Sequence, residues 1–240
     1  TYLLDNPVQG DQFEQVDKRW VYGGELLRDD AFQLGGVNYQ NTVGMQLRYD
    51  DIAEVGLYNT EARRRHNTVR KDRIDETSAA LFWSGEFNWA ERWRANLGLR
   101  YDQYWFDVDS NLDVNSGRET AGITSYKFNL SYQLNDFWET YLGAGTGFHS
   151  NDARGVTITE DPVDGAPVDG VDPLVRSRGA EIGARFFSTD TLNVSMALWG
   201  LELDSELLFV GDAGNTEPSR SSRRYGIEVT AYWWLSENWT

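Results

Sequence analysis

The stretch of sequence that decides the fold is residues 93–107, which read WRANLGLRYDQYWFD. Apolar and polar residues alternate along it. One set is apolar or aromatic and comprises Trp93, Ala95, Leu97, Leu99, Tyr101 and Trp105. The opposing set is Arg94, Asn96, Gly98, Arg100 and Asp102. A period of two residues predicts a β-strand with one apolar and one polar face.

The same alternation recurs in three further segments. Their apolar sets are Val37, Tyr39, Val43, Met45, Leu47 and Tyr49; Tyr126, Phe128, Leu130, Tyr132 and Leu134; and Tyr225, Ile227, Val229, Ala231, Trp233 and Leu235. Polar, charged or glycine residues stand between them. Repeated strands of this kind are typical of an antiparallel transmembrane β-barrel, whose outer face meets lipid and whose inner face is polar.

The connections between these segments alternate between short and long. Short turns are expected at residues 29–31, 90–92, 135–137, 188–191 and 236–238. Long polar loops are expected at residues 5–17, 51–76, 108–122, 150–175 and 211–222. Outer-membrane barrels have short periplasmic turns and long external loops. This parity predicts about ten strands, the first entering at Thr1 and the last leaving near Leu235.

Composition narrows the class of protein further. The mean hydropathy is -0.57, and no apolar run approaches the roughly 20 residues that a membrane helix needs, which excludes a helical membrane protein. A barrel stays possible because its lipid-facing and lumen-facing residues cancel in any average. Many of the 10 tryptophans lie beside expected short turns, as interfacial residues do. The net charge of -16 argues against a nucleic-acid partner. Cysteine is absent, so there are no disulfides and no thiol nucleophile.

The two ends of the chain suggest a piece of a larger barrel. The sequence starts without an initiator methionine or a signal peptide and stops at Thr240, just after an expected short turn. Unpaired strand edges are not tolerated in lipid. We therefore expect residues 1–240 to form one incomplete portion of a barrel, with Thr1 not the natural start.

Several stretches resemble the C-terminal barrel half of TonB-dependent outer-membrane receptors. They are GFHSNDARG at 147–155, PLVRSRGAE at 173–181, DSEL at 204–207 with GDAG at 211–214, RRYGIE at 223–228, and GLRYD at 98–102. The resemblance implies a barrel of about 22 strands in the bacterial outer membrane, closed by an N-terminal plug. It also implies TonB-coupled import of a scarce ligand, such as a ferric siderophore or cobalamin, with no cofactor. We can match no plug and no TonB-recruiting segment within this chain.

Candidate ligand contacts fall in two places. His149, Asn151, Asp152 and Arg154 lie at a strand-to-loop junction, where they could contact ligand at the external mouth or hydrogen-bond the base of the loop. A basic run lies in the expected loop at 51–76 and comprises Arg63, Arg64, Arg65, Arg70, Lys71 and Arg73. It could bind lipopolysaccharide phosphates, attract an anionic chelate or simply be solvated.

Charged residues are also expected on the inner face of the barrel. They are Arg94, Arg100, Asp102, Arg178, Glu181, Arg185 and Glu228. Facing away from lipid, they must line water or a polar plug. In a plugged barrel they would pair with plug side chains, whereas in a passive porin-like channel they would set ion selectivity.

Other chemistry has little support. The glycines of the run 143–147 alternate within a strand pattern and are not followed by a Lys-Ser/Thr pair, so they do not form a phosphate loop. His66 and His149 have no second ligand at a metal spacing, and no catalytic triad is present. The acidic residues Glu160, Asp161, Asp164, Asp169 and Asp172 could hold a hard cation or be solvated.

We expect an importer, not an enzyme; the alternatives are a porin-like channel and a soluble glycan-binding β-sandwich.

Overall fold

A computed structural model describes residues 12–188, 191–205, 207–210, 215–218 and 221–234. Within them the chain forms eleven strands and two short helices. The strands are β1 (Phe13–Leu34), β2 (Val37–Glu61), β3 (Arg64–Trp89), β4 (Trp93–Ser110), β5 (Gly117–Gln133), β6 (Trp138–Ser150), β7 (Leu174–Phe187), β8 (Leu192–Leu203), β9 (Leu207–Val210), β10 (Asn215–Pro218) and β11 (Ser222–Trp233). A 3-10 helix spans Asp113–Asn115, and helix α1 spans Ala153–Thr157.

Nine of these strands form one open antiparallel sheet. Its order is β1-β2-β3-β4-β5-β6-β7-β8-β11. Strands β1 to β8 therefore pair in the order of the sequence, and β8 then pairs with β11. β9 and β10 form a separate two-stranded ribbon between β8 and β11. The order confirms the predicted all-β antiparallel fold, and the strand number is close to the expected one.

The register keeps the predicted apolar residues on one side of the sheet. Leu99 pairs with Trp83 on β3 and with Tyr126 on β5, and all three belong to the outward face. Large apolar side chains of this face are exposed, such as Ile227 at 75% and Leu81 at 66%. This exposure shows that these side chains are not buried beneath a second layer of the described residues. The arrangement contradicts the β-sandwich alternative, which needs these side chains buried, and suits a face turned to lipid.

Aromatic residues concentrate near the rim of short turns. Neighbouring strands contribute the ring contacts Phe32–Tyr39–Phe87, Trp89–Trp93–Tyr132 and Trp138–Phe186. Towards the other rim, Tyr22 stacks on Tyr49. Such rows resemble the aromatic belts that flank the lipid-facing band of outer-membrane barrels. No helix among the described residues is long and apolar enough to cross a membrane.

The first expected turn was wrongly placed. Residues 29–31 lie inside β1, which continues to Leu34, and the chain reverses at Gly35 and Gly36. Both glycines have positive φ, +57° and +82°. A two-residue hairpin with two left-handed residues favours glycine at both positions. The charged pair Asp29 and Asp30 therefore belongs to the strand.

The expected loop at 51–76 was also wrong. β2 and β3 continue through it and meet at a two-residue turn of Ala62 and Arg63, both with positive φ. Polar residues occupy both faces of this hairpin because it extends beyond the apolar band, so alternation no longer marks the strand. For the same reason residues 13–17 are strand. The 108–122 loop is likewise shorter, since β4 ends at Ser110 and β5 begins at Gly117.

Other connections follow the prediction. Residues 90–92 and 135–137 form short turns, and residues 151–173 form a long loop that contains α1. Several expectations lie outside the described residues: the strand entering at Thr1, residues 5–11 of the first loop, parts of the 188–191 and 211–222 connections, Leu235 and the turn at 236–238.

Candidate functional site

The long loop between β6 and β7 folds inward onto the lumen face of the sheet. Ala153 of α1 is buried in an apolar cluster with side chains from three strands, namely Ile52 of β2, Ile74 of β3, and Phe106 and Val108 of β4. Each of these residues is at most 4% exposed. Burial of apolar surface therefore holds the loop against the wall at the external end of the lumen.

Asn115 joins this loop to the β4–β5 loop. Its side chain is fully buried, and its Oδ1 accepts hydrogen bonds from the backbone N–H groups of Thr159 (2.9 Å) and Glu160 (3.0 Å). Its Nδ2 donates to the carbonyl of Glu160 at 2.9 Å. The Oγ1 of Thr157 donates to the carbonyl of Asn115 at 2.9 Å. One side chain thus satisfies three backbone groups of the neighbouring loop.

The predicted residues Asn151, Asp152 and Arg154 form the base of the loop. The Nδ2 of Asn151 donates to the carbonyl of Asp172 at 2.6 Å. Asp152 caps α1 by accepting from the backbone N–H of Arg154 at 2.9 Å, and it pairs with the Arg154 guanidinium at 2.6 Å. Burial favours a higher pKa for Asp152, but the bonds from Arg154 outweigh it and the pKa falls below its ordinary value.

A polar cavity, here called the mouth pocket, lies between the loop base and the wall. Its polar lining comprises Asp17, Arg19, Arg48, Asp50, Glu76, Tyr104, Ser150, Asn151, Asp152 and Arg154. Its apolar lining comprises Ile52, Val55, Ile74 and Ala153. Arg48 binds Asp50 through two bonds of 2.7 and 2.8 Å, and Arg19 binds Asp17 at 2.8 Å. The pocket therefore holds three arginine–aspartate pairs, each between residues two apart on one segment.

Glu76 is the unpaired carboxyl of the mouth pocket. On the outer face of β3 the apolar residues end at Ala79, and the polar residues Thr77 and Asp75 follow, so Glu76 lies beyond the lipid-facing band. Glu76 is opposite Asp50 on β2 and opposite the buried Phe106 on β4. Burial first, and then the charge of Asp50, raise the pKa of Glu76 to about 7.

A buried ion pair lies beneath the loop. Arg70 and Asp72 are 7% and 1% exposed, and the Arg70 Nε donates to Asp72 at 2.5 Å. The Arg70 Nη2 also donates to the carbonyl of Arg154 at 3.3 Å. The sequence had placed Arg70 in a basic run. The structure shows instead that Arg70 is a buried, paired group that supports the loop.

The other predicted mouth residues lie apart from the pocket. His149 is near the end of β6 and pairs in register with Val175. Arg63, Arg64 and Arg65 are at the tip of the β2–β3 hairpin. Arg64 is ten residues along β3 from Ile74, or about 33 Å. Arg65 is held by Glu14 at 2.6 Å and lies 3.8 Å from the Tyr58 ring. The structure does not bring this tip to the mouth pocket.

A second polar cluster lies on the lumen face near the short turns. Glu139, only 7% exposed, accepts from Arg94 at 3.0 Å and from Arg185 at 2.7 Å. The Arg185 guanidinium also lies 4.3 Å from the Tyr141 ring. Higher on the same face, Arg100 binds Asp102 through bonds of 2.8 and 2.9 Å. Glu139 was missed by the sequence analysis, although it is the residue that joins the two arginines.

Arg178 does not lie on the lumen face. In the register of β7 it pairs with Thr146 and Glu202, and it is three residues from Glu181. Because side chains alternate along a strand, an odd separation places the two residues on opposite faces. Arg178 bonds to Asp204 on the outward side. The remaining expected residues, Arg94, Arg100, Asp102, Glu181, Arg185 and Glu228, share the lumen face through the cross-strand register.

The acidic residues of the β6–β7 loop serve its own turns. Asp161 accepts from the backbone N–H of Val163 at 2.7 Å, and Asp164 accepts from that of Ala166 at 2.9 Å. No cluster of acidic or histidine side chains able to hold a metal ion occurs in the described ranges. The suggested cation site is therefore not supported by the geometry of this loop.

Comparison with known proteins supplies the family. A family model described as TonB dependent receptor-like, beta-barrel matches residues 2–240. The chain belongs to the TonB-dependent receptor family. These receptors are transporters of the Gram-negative outer membrane and not enzymes, which agrees with the predicted class and location.

Solved structures show the same fold at low sequence identity. The ferric citrate transporter FecA in its unliganded form matches 92% of this chain with a TM-score of 0.69 and 17% identity. The copper transporter OprC matches 92% with a TM-score of 0.65 and 17% identity. The ferric yersiniabactin uptake receptor FyuA from Yersinia pestis matches 94% with a TM-score of 0.64 and 15% identity. The chain spans only 33%, 35% and 34% of these three receptor chains.

Proposed function

We propose that this chain forms part of the wall of an outer-membrane receptor that imports a scarce ligand with energy delivered by a TonB-type protein. Family membership over residues 2–240 carries the proposal. Relatives of the same fold are described as transporters or receptors for ferric citrate, ferric yersiniabactin and copper. A ferric siderophore or cobalamin is the proposed class of ligand for the protein that contains this chain.

Uptake by intact cells tests the proposal. A strain that lacks the gene is complemented with the gene, and entry of radiolabelled ferric siderophores and cobalamin is measured with and without an uncoupler of the inner membrane. We expect gene-dependent uptake of one ligand that stops when the uncoupler is added. Gene-dependent entry that the uncoupler leaves unchanged would instead indicate a passive porin-like channel.

Ligand contact is proposed at the external mouth. His149, Asn151, Asp152 and Arg154 are the proposed contacts there. The mouth pocket supports the last three, because they line it together with further guanidinium, carboxylate and apolar groups. At the hairpin tip, Arg65 is already paired with Glu14, whereas Arg63 and Arg64 have no ion-pair partner among the described residues. We propose that the tip arginines contact lipopolysaccharide phosphates or attract an anionic chelate.

Plug contact is proposed for the charged lumen face. Arg94, Arg100, Asp102, Glu181, Arg185 and Glu228 are the proposed residues, because a polar face inside a barrel must meet water or a polar filling. Glu181 and Glu228 have no ion-pair partner within the described part of the chain, so they are open to plug cations. Sequencing the gene upstream tests this: a domain of roughly 100–150 residues supports a plug, and strands reaching back to a signal peptide contradict it.

A further inference from the structure

Charges around the mouth pocket are balanced by arginines, with one exception. The charged and titratable groups that face Glu76 come from four elements: Asp17 and Arg19 of β1, Arg48 and Asp50 of β2, Tyr104 of β4, and Asp152 and Arg154 of the loop. Arg70 and Asp72, on the same strand as Glu76, lie beneath the loop at Arg154. Each aspartate has its own arginine two residues away. Glu76 has no hydrogen-bond or ion-pair partner in the part of the chain that the structure describes.

The surroundings of Glu76 suit a protonated carboxyl better than an ionised one. Directly opposite it on β2 is Asp50, a like charge when both ionise. Opposite it on β4 is Phe106, which is 2% exposed and cannot solvate a charge. The inward-folded loop completes the enclosure, because Asp152 and Ala153 line the pocket from above. Departure of the loop would admit water to Glu76.

We propose that closure of the β6–β7 loop is pH-dependent: the loop packs on the lumen wall while Glu76 is protonated and detaches when Glu76 ionises. The pKa of about 7 for Glu76 in the closed form supports a change in loop closure near neutral pH. A solvated glutamate in the open form has its ordinary value of about 4.5, so the closed form binds more protons.

The direction and size of the effect follow from this difference. Because the closed form has the higher pKa, closure is most favoured below about pH 4.5 and its advantage is lost as the pH rises through about 7. Between about pH 6 and pH 8.5 the ratio of closed to open loop falls roughly ten-fold. The loop responds in this way whether or not the receptor imports the ligand proposed above.

Limited proteolysis measures the open fraction without any ligand. Outer membranes from cells expressing the natural gene are treated with trypsin, and cleavage after Arg154 is divided by cleavage after Arg64 at the hairpin tip. The tip serves as an internal reference because it lies outside the loop, so the pH dependence of trypsin itself cancels. We expect this ratio to rise roughly ten-fold between about pH 6 and pH 8.5 in the wild type.

Matched variants decide the assignment. Glu76→Gln should keep the ratio low at every pH, whereas Glu86→Gln, on the same strand and face, should keep the wild-type rise. Asp50→Asn removes the opposing charge and should move the rise to lower pH, which gives a second test if Glu76→Gln fails to fold. A flat ratio in the wild type, or a wild-type rise in Glu76→Gln, would overturn the proposal.

Discussion

Replacing Asn115 with alanine should detach the β6–β7 loop from the β4–β5 loop. The side chain satisfies two backbone N–H groups, of Thr159 and Glu160, and one backbone carbonyl, of Glu160. A buried polar group left without a partner costs about 1–3 kcal/mol. Three such groups place the loss at about 3 kcal/mol even at the low end, so the contact between the two loops is weakened by that amount when Asn115 is replaced.

Hydrogen exchange at the amides of Thr159 and Glu160 reads this loss directly. A change of about 3 kcal/mol corresponds to roughly a 100-fold fall in protection, because each 1.4 kcal/mol is a factor of ten. Asn111→Ala is the matched control: it makes the same substitution in the same loop, where the Asn111 side chain accepts a single bond from the Lys71 backbone. Unchanged protection of the two amides in Asn115→Ala would refute the reasoning.

Three further substitutions probe the wall of the barrel. Gly36→Ala should lower the free energy of unfolding by about 1 kcal/mol because φ is positive at this position. Gly24→Ala, where the space around an added Cβ is equally open, should change the free energy of unfolding little. The midpoints of urea unfolding in lipid vesicles compare the two variants. Ile227→Arg places a charge on the lipid-facing side and should cost about 2–4 kcal/mol in the same assay, while a similar loss for lumen-facing Thr230→Arg would contradict the assigned faces. Glu139→Ala leaves the half-exposed Arg94 and Arg185 without their carboxylate and should lower the free energy of unfolding by about 1–2 kcal/mol. An unchanged free energy of unfolding would show that water replaces both ion pairs.

The fold was predictable where lipid imposes a pattern. Residues 93–107 alternate because one face must be apolar and the other polar, and the structure places both sets as expected. The alternation of apolar and polar residues is lost beyond the lipid-facing band. There β2 and β3 continue through the expected loop, and their outward residues can be polar because they do not contact lipid. A two-residue turn such as Ala62-Arg63 has no glycine to mark it, so the sequence offers no signal for the reversal.

The candidate site was predictable only in part. Asn151, Asp152 and Arg154 do come together because they are neighbours in sequence at one loop base. Glu76 and Asn115 were missed because their roles depend on strands and loops far away in sequence, such as the Asp50 opposite Glu76. Arg178 was assigned to the lumen although it is an odd number of residues from Glu181, so strict counting along the strand would have corrected that assignment.

The β2–β3 hairpin extends beyond the neighbouring β4 and exposes a strand edge that is unpaired within the described residues. β4 ends opposite Asp72, so the part of β3 from Arg64 to Arg70 has β2 on one side and no described strand on the other. A row of open backbone donors and acceptors invites edge-to-edge association with another molecule. Charged side chains at Arg64 and Arg65 oppose such sheet growth, since a pairing strand would have to desolvate them. The arginines at the tip therefore stand where charge disfavours pairing of this edge with another strand, a consequence of their position that requires no ligand.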